Sequence, residues 1–92
     1  MILDIVQASK FKKDLKKIIK QQKNLDDLEK IITLLRAQQP LPPKNYDHNL
    51  VGDWHGYREC HINPDWLLIY KIEKELKLLR LARMGSHSEL FK

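Results

Sequence analysis

With one cysteine, Cys60, the chain has no material for an intramolecular disulfide framework, and no Cys-x-x-Cys pair exists for a compact metal motif. Glycine is scarce. Gly52, Gly56 and Gly85 are scattered, which excludes a glycine-rich phosphate loop. Asp4 and Lys10 interrupt the N-terminus, so no signal-type apolar region opens the chain, and no run approaches the ~18–20 apolar residues of a spanning helix. A cytoplasmic chain that meets no membrane is expected, with Cys60 as a half-buried inert thiol. Internal repeats and low-complexity tracts are also missing. What is present fits a single domain over residues 1–92. Hydrophobic residues make up 42% of the chain, enough for a core and too many for disorder. Seventeen basic against 12 acidic side chains leave a formal charge of +5, which favours an anionic partner.

The first half is helical. Ile2 to Val6 reads as a short strand, and from Lys10 the period changes. Phe11, Leu15, Ile18 and Ile19 recur at the spacing of an amphipathic helix, with Ser9 in N-cap position. A second helix follows Asn24, a favoured N-cap, with Asp26 and Asp27 in its first turn, where the helix dipole stabilises negative charge. Leu28, Ile31, Ile32 and Leu35 form its apolar face, and Pro40 ends it. The short connection makes the two helices an antiparallel pair whose stripes need a cover.

The last third supplies that cover as a three-stranded antiparallel meander. One strand ends at Tyr57 to Ile62, the turn Asn63-Pro64-Asp65 follows, and the next strand runs from Trp66 through Tyr70. After Glu73-Lys74-Glu75, a third run climbs from Leu76 to Met84 and leads into Gly85-Ser86-His87. A long crossing loop from Lys44 to Asp53 carries His48. The expected architecture is α+β: a helical hairpin packed on a mainly antiparallel sheet, with the N-terminal strand added to it.

In such a meander, the end of the first strand, the start of the second and the end of the third share an edge. His61, Asp65, Arg83 and His87 therefore converge there. That set fits metal-free RNA cleavage, which needs a base for the 2′-hydroxyl, an acid for the leaving 5′-oxygen, and a cation for the phosphorane charge. Histidine suits either proton role, because its ordinary pKa of about 6.5 lies near neutrality. Arginine suits the third, since its fixed fork of donors matches phosphate oxygens. Trp66 and Phe91 could stack on a base.

Each residue also has a plainer reading. His48 could be a surface residue, His61 could bond a turn carbonyl, Asp65 could bond the backbone of its own turn, and Arg83 could be a solvated charge. Trp66 and Tyr70 read equally as core. A metal site of His48, His61, His87 and Asp65 is also conceivable, although the spacing matches no compact motif and Arg83 would repel a dication.

Four blocks carry a likeness to a known family: Tyr46-Asp47-His48-Asn49-Leu50, Gly52 to His61, Pro64 to Tyr70, and Arg83 to Phe91. They resemble the YafQ branch of the RelE/ParE toxin superfamily, over essentially the whole chain. The resemblance implies a toxin of a bacterial toxin–antitoxin module that cuts messenger RNA in the ribosomal A site, without a metal or other cofactor. It implies as partners a cognate antitoxin protein, the ribosome with its RNA, and messenger RNA, with operator DNA bound through the antitoxin. Carried over, it implicates His48, His61, Asp65 and His87 in proton transfer and orientation, and Arg83 faces the phosphate. Trp66 and Phe91 shape the site or stack. Our assignment makes His87 the acid and Asp65, oriented by His61, the base, with His48 supporting the phosphate or sharing the base role. The family often has aspartate where this chain has Glu59, so Glu59 stays outside that set.

On this reading the lysine-rich first helix, with Asp14 as its sole acid, would engage ribosomal RNA through Lys13, Lys16 and Lys20; a solvated face is the plainer account. Two other classes stay open. One is a ParE-like relative acting on a protein target such as gyrase, and the other is a basic module that binds nucleic acid without cutting it. Neither needs three convergent imidazoles.

Overall fold

The computed structural model describes residues 2–91. Strand β1 (Asp4–Gln7) leads into helices α1 (Ser9–Lys20) and α2 (Leu25–Arg36). Strands β2 (His48–Asn49), β3 (Arg58–Asn63), β4 (Trp66–Glu73) and β5 (Leu78–Gly85) follow, and helix α3 (His87–Leu90) closes the described chain. Single 3-10 turns occupy Pro43–Asn45 and Gly52–Trp54. The strands form one five-stranded sheet in the order β1-β5-β4-β3-β2. The meander is antiparallel throughout, whereas β1 lies parallel to β5, so the expected α+β architecture is present.

The helix boundaries follow from where backbone groups find partners. The Ala8 amide donates to the Leu81 carbonyl at 3.0 Å, continuing the β1–β5 ladder, so α1 begins at once with Ala8 as N-cap and without a side-chain cap. Ser9 is therefore the first helical residue and not the cap. Phe11 and Ile18 are buried, but Ile19 is 52% exposed. Eight residues at 3.6 per turn rotate it about 80° away from Phe11. Asn24 does cap α2, its side chain accepting from the Asp26 amide at 2.9 Å.

Pro40 is not what stops α2. The helix ends at Arg36 because Gln38 adopts a left-handed φ of 55°. The Gln39 amide then reaches the Leu34 carbonyl at 2.9 Å, and the Gln38 amide the Leu35 carbonyl at 3.0 Å. That is the Schellman arrangement, with proline placed just beyond it. The Arg36 carbonyl accepts from the Leu3 amide at 2.9 Å, while the Arg36 Nε donates to the Leu3 carbonyl at 2.9 Å. This double tie fixes where the chain enters β1.

Phe11, Ile18, Leu28, Ile31 and Leu35 of the helices pack against Cys60, Ile62, Trp66, Leu68, Leu79 and Met84 of one sheet face. Cys60 is wholly buried and not half-buried, and burial above all pushes its thiol far above the ordinary range, which leaves it inert. Every residue of β4 from Trp66 to Tyr70 is buried, so both faces of this central strand are covered. The strand expected from Leu76 starts at Leu78, because Lys77 takes a left-handed φ of 57° in the preceding turn. Among the described residues no helix is long and apolar enough to cross a membrane.

Candidate active site

His48 does not sit in a loop. It forms the edge strand β2, opposite Glu59 of β3; Glu59 stands opposite Ile69 of β4, and Ile69 opposite Arg83 of β5. Residues opposite one another share a face, so these four make one row. A second row on that face joins His61, Leu67 and Gly85. The alternate residues Cys60, Leu68 and Met84 belong to the helix-facing core, so both rows occupy the other side of the sheet. Leu67 and Ile69 are its buried floor.

Glu59 links the two strand histidines. Its carboxylate is buried, with Oε1 3.7 Å from His48 Nε2 and 3.5 Å from His61 Nε2. Both are longer than good hydrogen bonds and become ion pairs only with a protonated imidazole. His48 Nδ1 lies 2.6 Å from the Tyr46 carbonyl. A carbonyl only accepts, so Nδ1 carries the proton and Nε2 is the nitrogen turned to Glu59. Glu59 is the residue that sequence reasoning set aside. The trace was there: positions 59 and 61 of one strand must face the same way.

The segment around His48 is fastened on both sides. Asp47 accepts from the Tyr70 hydroxyl and, at 3.2 Å, from Arg58 Nε, while Arg58 Nη1 donates to Asn49 Oδ1 at 2.7 Å. Burial, together with the bond to Asp47, pushes the Tyr70 hydroxyl far above the usual phenol range, so it stays a donor. Buried Asn45 donates to the His61 carbonyl at 2.7 Å, which ties the same segment to β3.

Arg83 is held from the far side of the sheet edge. Its Nε and Nη2 donate to the Asp14 carboxylate at 2.8 and 3.2 Å, and Asp14 also accepts from the Met84 amide at 3.0 Å. Pairing with β1 stops at Leu81, so beyond it β5 has an open edge, and Asp14 supplies the missing acceptor. The hydrogen bonds to Asp14 raise the guanidinium above its ordinary value, against the effect of burial.

His87 opens α3 behind a capping box in which Ser86 and Glu89 exchange hydrogen bonds, and Glu89 also pairs with Lys17. Its exposed ring lies 5.1 Å from that of half-buried Phe91. Asp65 is exposed in the β3–β4 turn, and no hydrogen bond or ion pair joins it to His61 among the described residues. Trp66 is fully buried on the core face, so it shapes the fold beneath the site and offers no surface for a base. Lys13, Lys16 and Lys20 are exposed along α1. The sheet thus gathers His48, Glu59 and His61 closely. Arg83 lies three strand spacings from His48, about 14 Å, and His87 stands at the end shared with His61. Among the described residues, no three histidine, cysteine, aspartate or glutamate side chains are grouped so as to hold a metal ion.

Residues 3–92 match the family model for the YafQ bacterial toxin of type II toxin–antitoxin systems. The mRNA interferase toxin YafQ of Escherichia coli K12 is 44% identical over 89 residues, covering 96% of this chain and 95% of that protein. Among solved structures, a metal-bound toxin from Helicobacter pylori superposes with a TM-score of 0.93 at 48% identity, covering 98% of this chain and all of the other. YafQ in the Escherichia coli DinJ–YafQ toxin–antitoxin complex gives 0.89 at 42% identity over 100% of both chains.

Proposed function

The chain belongs to the YafQ family of bacterial type II toxins, and from that premise we propose that it is an endoribonuclease that cuts messenger RNA in the ribosomal A site. The relative named an mRNA interferase and the relative solved with its antitoxin support both the activity and a protein antitoxin as partner. The single observation in this chain that carries the reading is the pair of imidazoles, His48 and His61, facing one buried carboxylate on the sheet face away from the core. A module that only binds its target has no use for that arrangement.

In the reaction, His87 protonates the leaving 5′-oxygen, and its exposure lets it meet the message. Asp65, with His61 on the adjoining strand, takes the 2′-hydroxyl proton, and His48 supports the phosphate or shares the base role. Arg83 faces the phosphate. Asp14 occupies two of its five N–H donors, so the others remain for phosphate oxygens. Phe91 lies beside the acid. Acid, base and fixed cation suffice for the step, so the cleavage is metal-independent. Lys13, Lys16 and Lys20 bind ribosomal RNA.

The deciding experiment incubates the purified protein with ribosomes programmed with a message and maps the ends produced. Cuts in the A-site codon are expected, and they should persist when zinc and copper are chelated while ribosomal magnesium is maintained. An intact message would leave target binding without cleavage. Activity lost together with stoichiometric metal would return a metal to the mechanism.

A further inference from the structure

Once Trp66 is assigned to the core, the face around His61 needs another aromatic to hold a base, and one is available. Tyr46 is 68% exposed, the one aromatic among the exposed large hydrophobics of the described residues. Elsewhere Trp54 packs edge-on against Tyr57, Phe91 is half-buried, and Phe11 and Tyr70 are buried. Tyr46 also holds an uncommon conformation. It caps the turn at Pro43–Asn45 with φ 45° and ψ 48°, the left-handed backbone that also ends α2 at Gln38.

The turn is also tied to the site. The Tyr46 amide donates to the Pro43 carbonyl at 3.1 Å, its carbonyl accepts from His48 Nδ1, and the neighbouring Asn45 is bonded to the His61 carbonyl. Its ring stands edge-on to His61, with centroids 5.5 Å apart and planes at 61°. Both line a cavity of about 460 Å³ with Lys44 and Asn63. An exposed ring tied to the site by its backbone, touching a site imidazole and flanked by an exposed lysine, has the makings of a nucleotide subsite. The ring offers a π-face to any base, and Lys44 offers charge to the adjoining phosphate.

We propose that Tyr46 is the platform on which a base of the substrate RNA stacks, in the cavity it shares with His61, with Lys44 against the backbone phosphate. The inference rests on the RNA-cleavage reading above and deepens it by locating the base. Because stacking is sequence-tolerant, the subsite places a nucleotide without dictating its identity.

The test uses ribosomes programmed with a message carrying 4-thiouridine in the A-site codon and 2′-deoxy sugars there to prevent cutting. Irradiation should crosslink the thiobase to the peptide containing Tyr46. On the cleavable message at saturating toxin, Tyr46→Ala should slow cutting about tenfold or more, the scale of one lost base stack, while Tyr46→Phe and Tyr46→Trp stay within about twofold. A crosslink elsewhere, or none, overturns the subsite, and so does wild-type cutting by Tyr46→Ala. Slower cutting by Tyr46→Ala with the crosslink mapped elsewhere would assign the ring to holding His61. Should the crosslink form at Tyr46 while the wild-type protein leaves the cleavable message intact, the nuclease reading fails and the subsite stands.

Discussion

Asp14 and Arg83, 69 residues apart in sequence, meet through a forked pair of hydrogen bonds at 2.8 and 3.2 Å. The carboxylate does two things there. It fixes the Arg83 guanidinium, and it accepts from the Met84 amide where β5 has lost its neighbour. Asp14→Ala would leave an amide and a part-buried guanidinium without their acceptor. A loss of about 1–3 kcal/mol is expected, read by urea or thermal unfolding, with a fall in message cleavage as Arg83 loses its aim. Unchanged stability in that variant would mean that water satisfies both groups.

His87 is exposed, and its packing amounts to one tilted contact with Phe91. His87→Ala should therefore lower cleavage by about 10²-fold or more, the scale of losing a general acid or base. Its unfolding free energy should move by no more than about 0.5 kcal/mol. Cleavage at the wild-type rate would remove His87 from the chemistry, and a variant that unfolds would give it a structural role instead.

Lysines 13, 16 and 20 lie exposed on α1, whereas Lys17 is engaged with Glu89. Charge reversal of Lys13, Lys16 and Lys20 to Glu should weaken ribosome association and flatten its dependence on salt, because fewer phosphates are neutralised. Turnover in the saturated complex should be nearly intact. Ribosome affinity equal to wild type would make these lysines a solvated face only.

Glu89 gives the C-terminal turn a pH dependence. The bond from Lys17, and then those from Ser86, hold its carboxyl down at about 2. A carboxyl depressed in the folded state contributes stability above its unfolded value of about 4.3 and loses it as pH falls through the folded value. The capping box should therefore loosen between about pH 5 and pH 2, seen as a shift of the Ser86 and Glu89 amide resonances. Glu89→Gln should abolish that transition. Resonances that stay fixed through the window would show that the box holds without the charge.

Periodicity and register alone determined much of this protein. The helical stripes of Phe11 and Ile18 and of Leu28, Ile31 and Leu35, the Asn24 cap and the three meander strands all arise from interactions within one turn or between adjacent strands, which local sequence encodes. The histidine-bearing blocks carried the family. Tertiary structure alone decided the rest, because it depends on partners far apart in sequence. Whether His48 is loop or strand rests on its pairing with Glu59. The start of α1 is set by an amide taken into the ladder with Leu81. Arg83 is fixed by Asp14, a residue with no sequence trace of that role. Trp66 lost its expected place at the base for the same reason: packing of the helices over one sheet face buried it, while Tyr46 stayed exposed beside His61. Burial is a property of the whole assembly, and no local pattern encodes it.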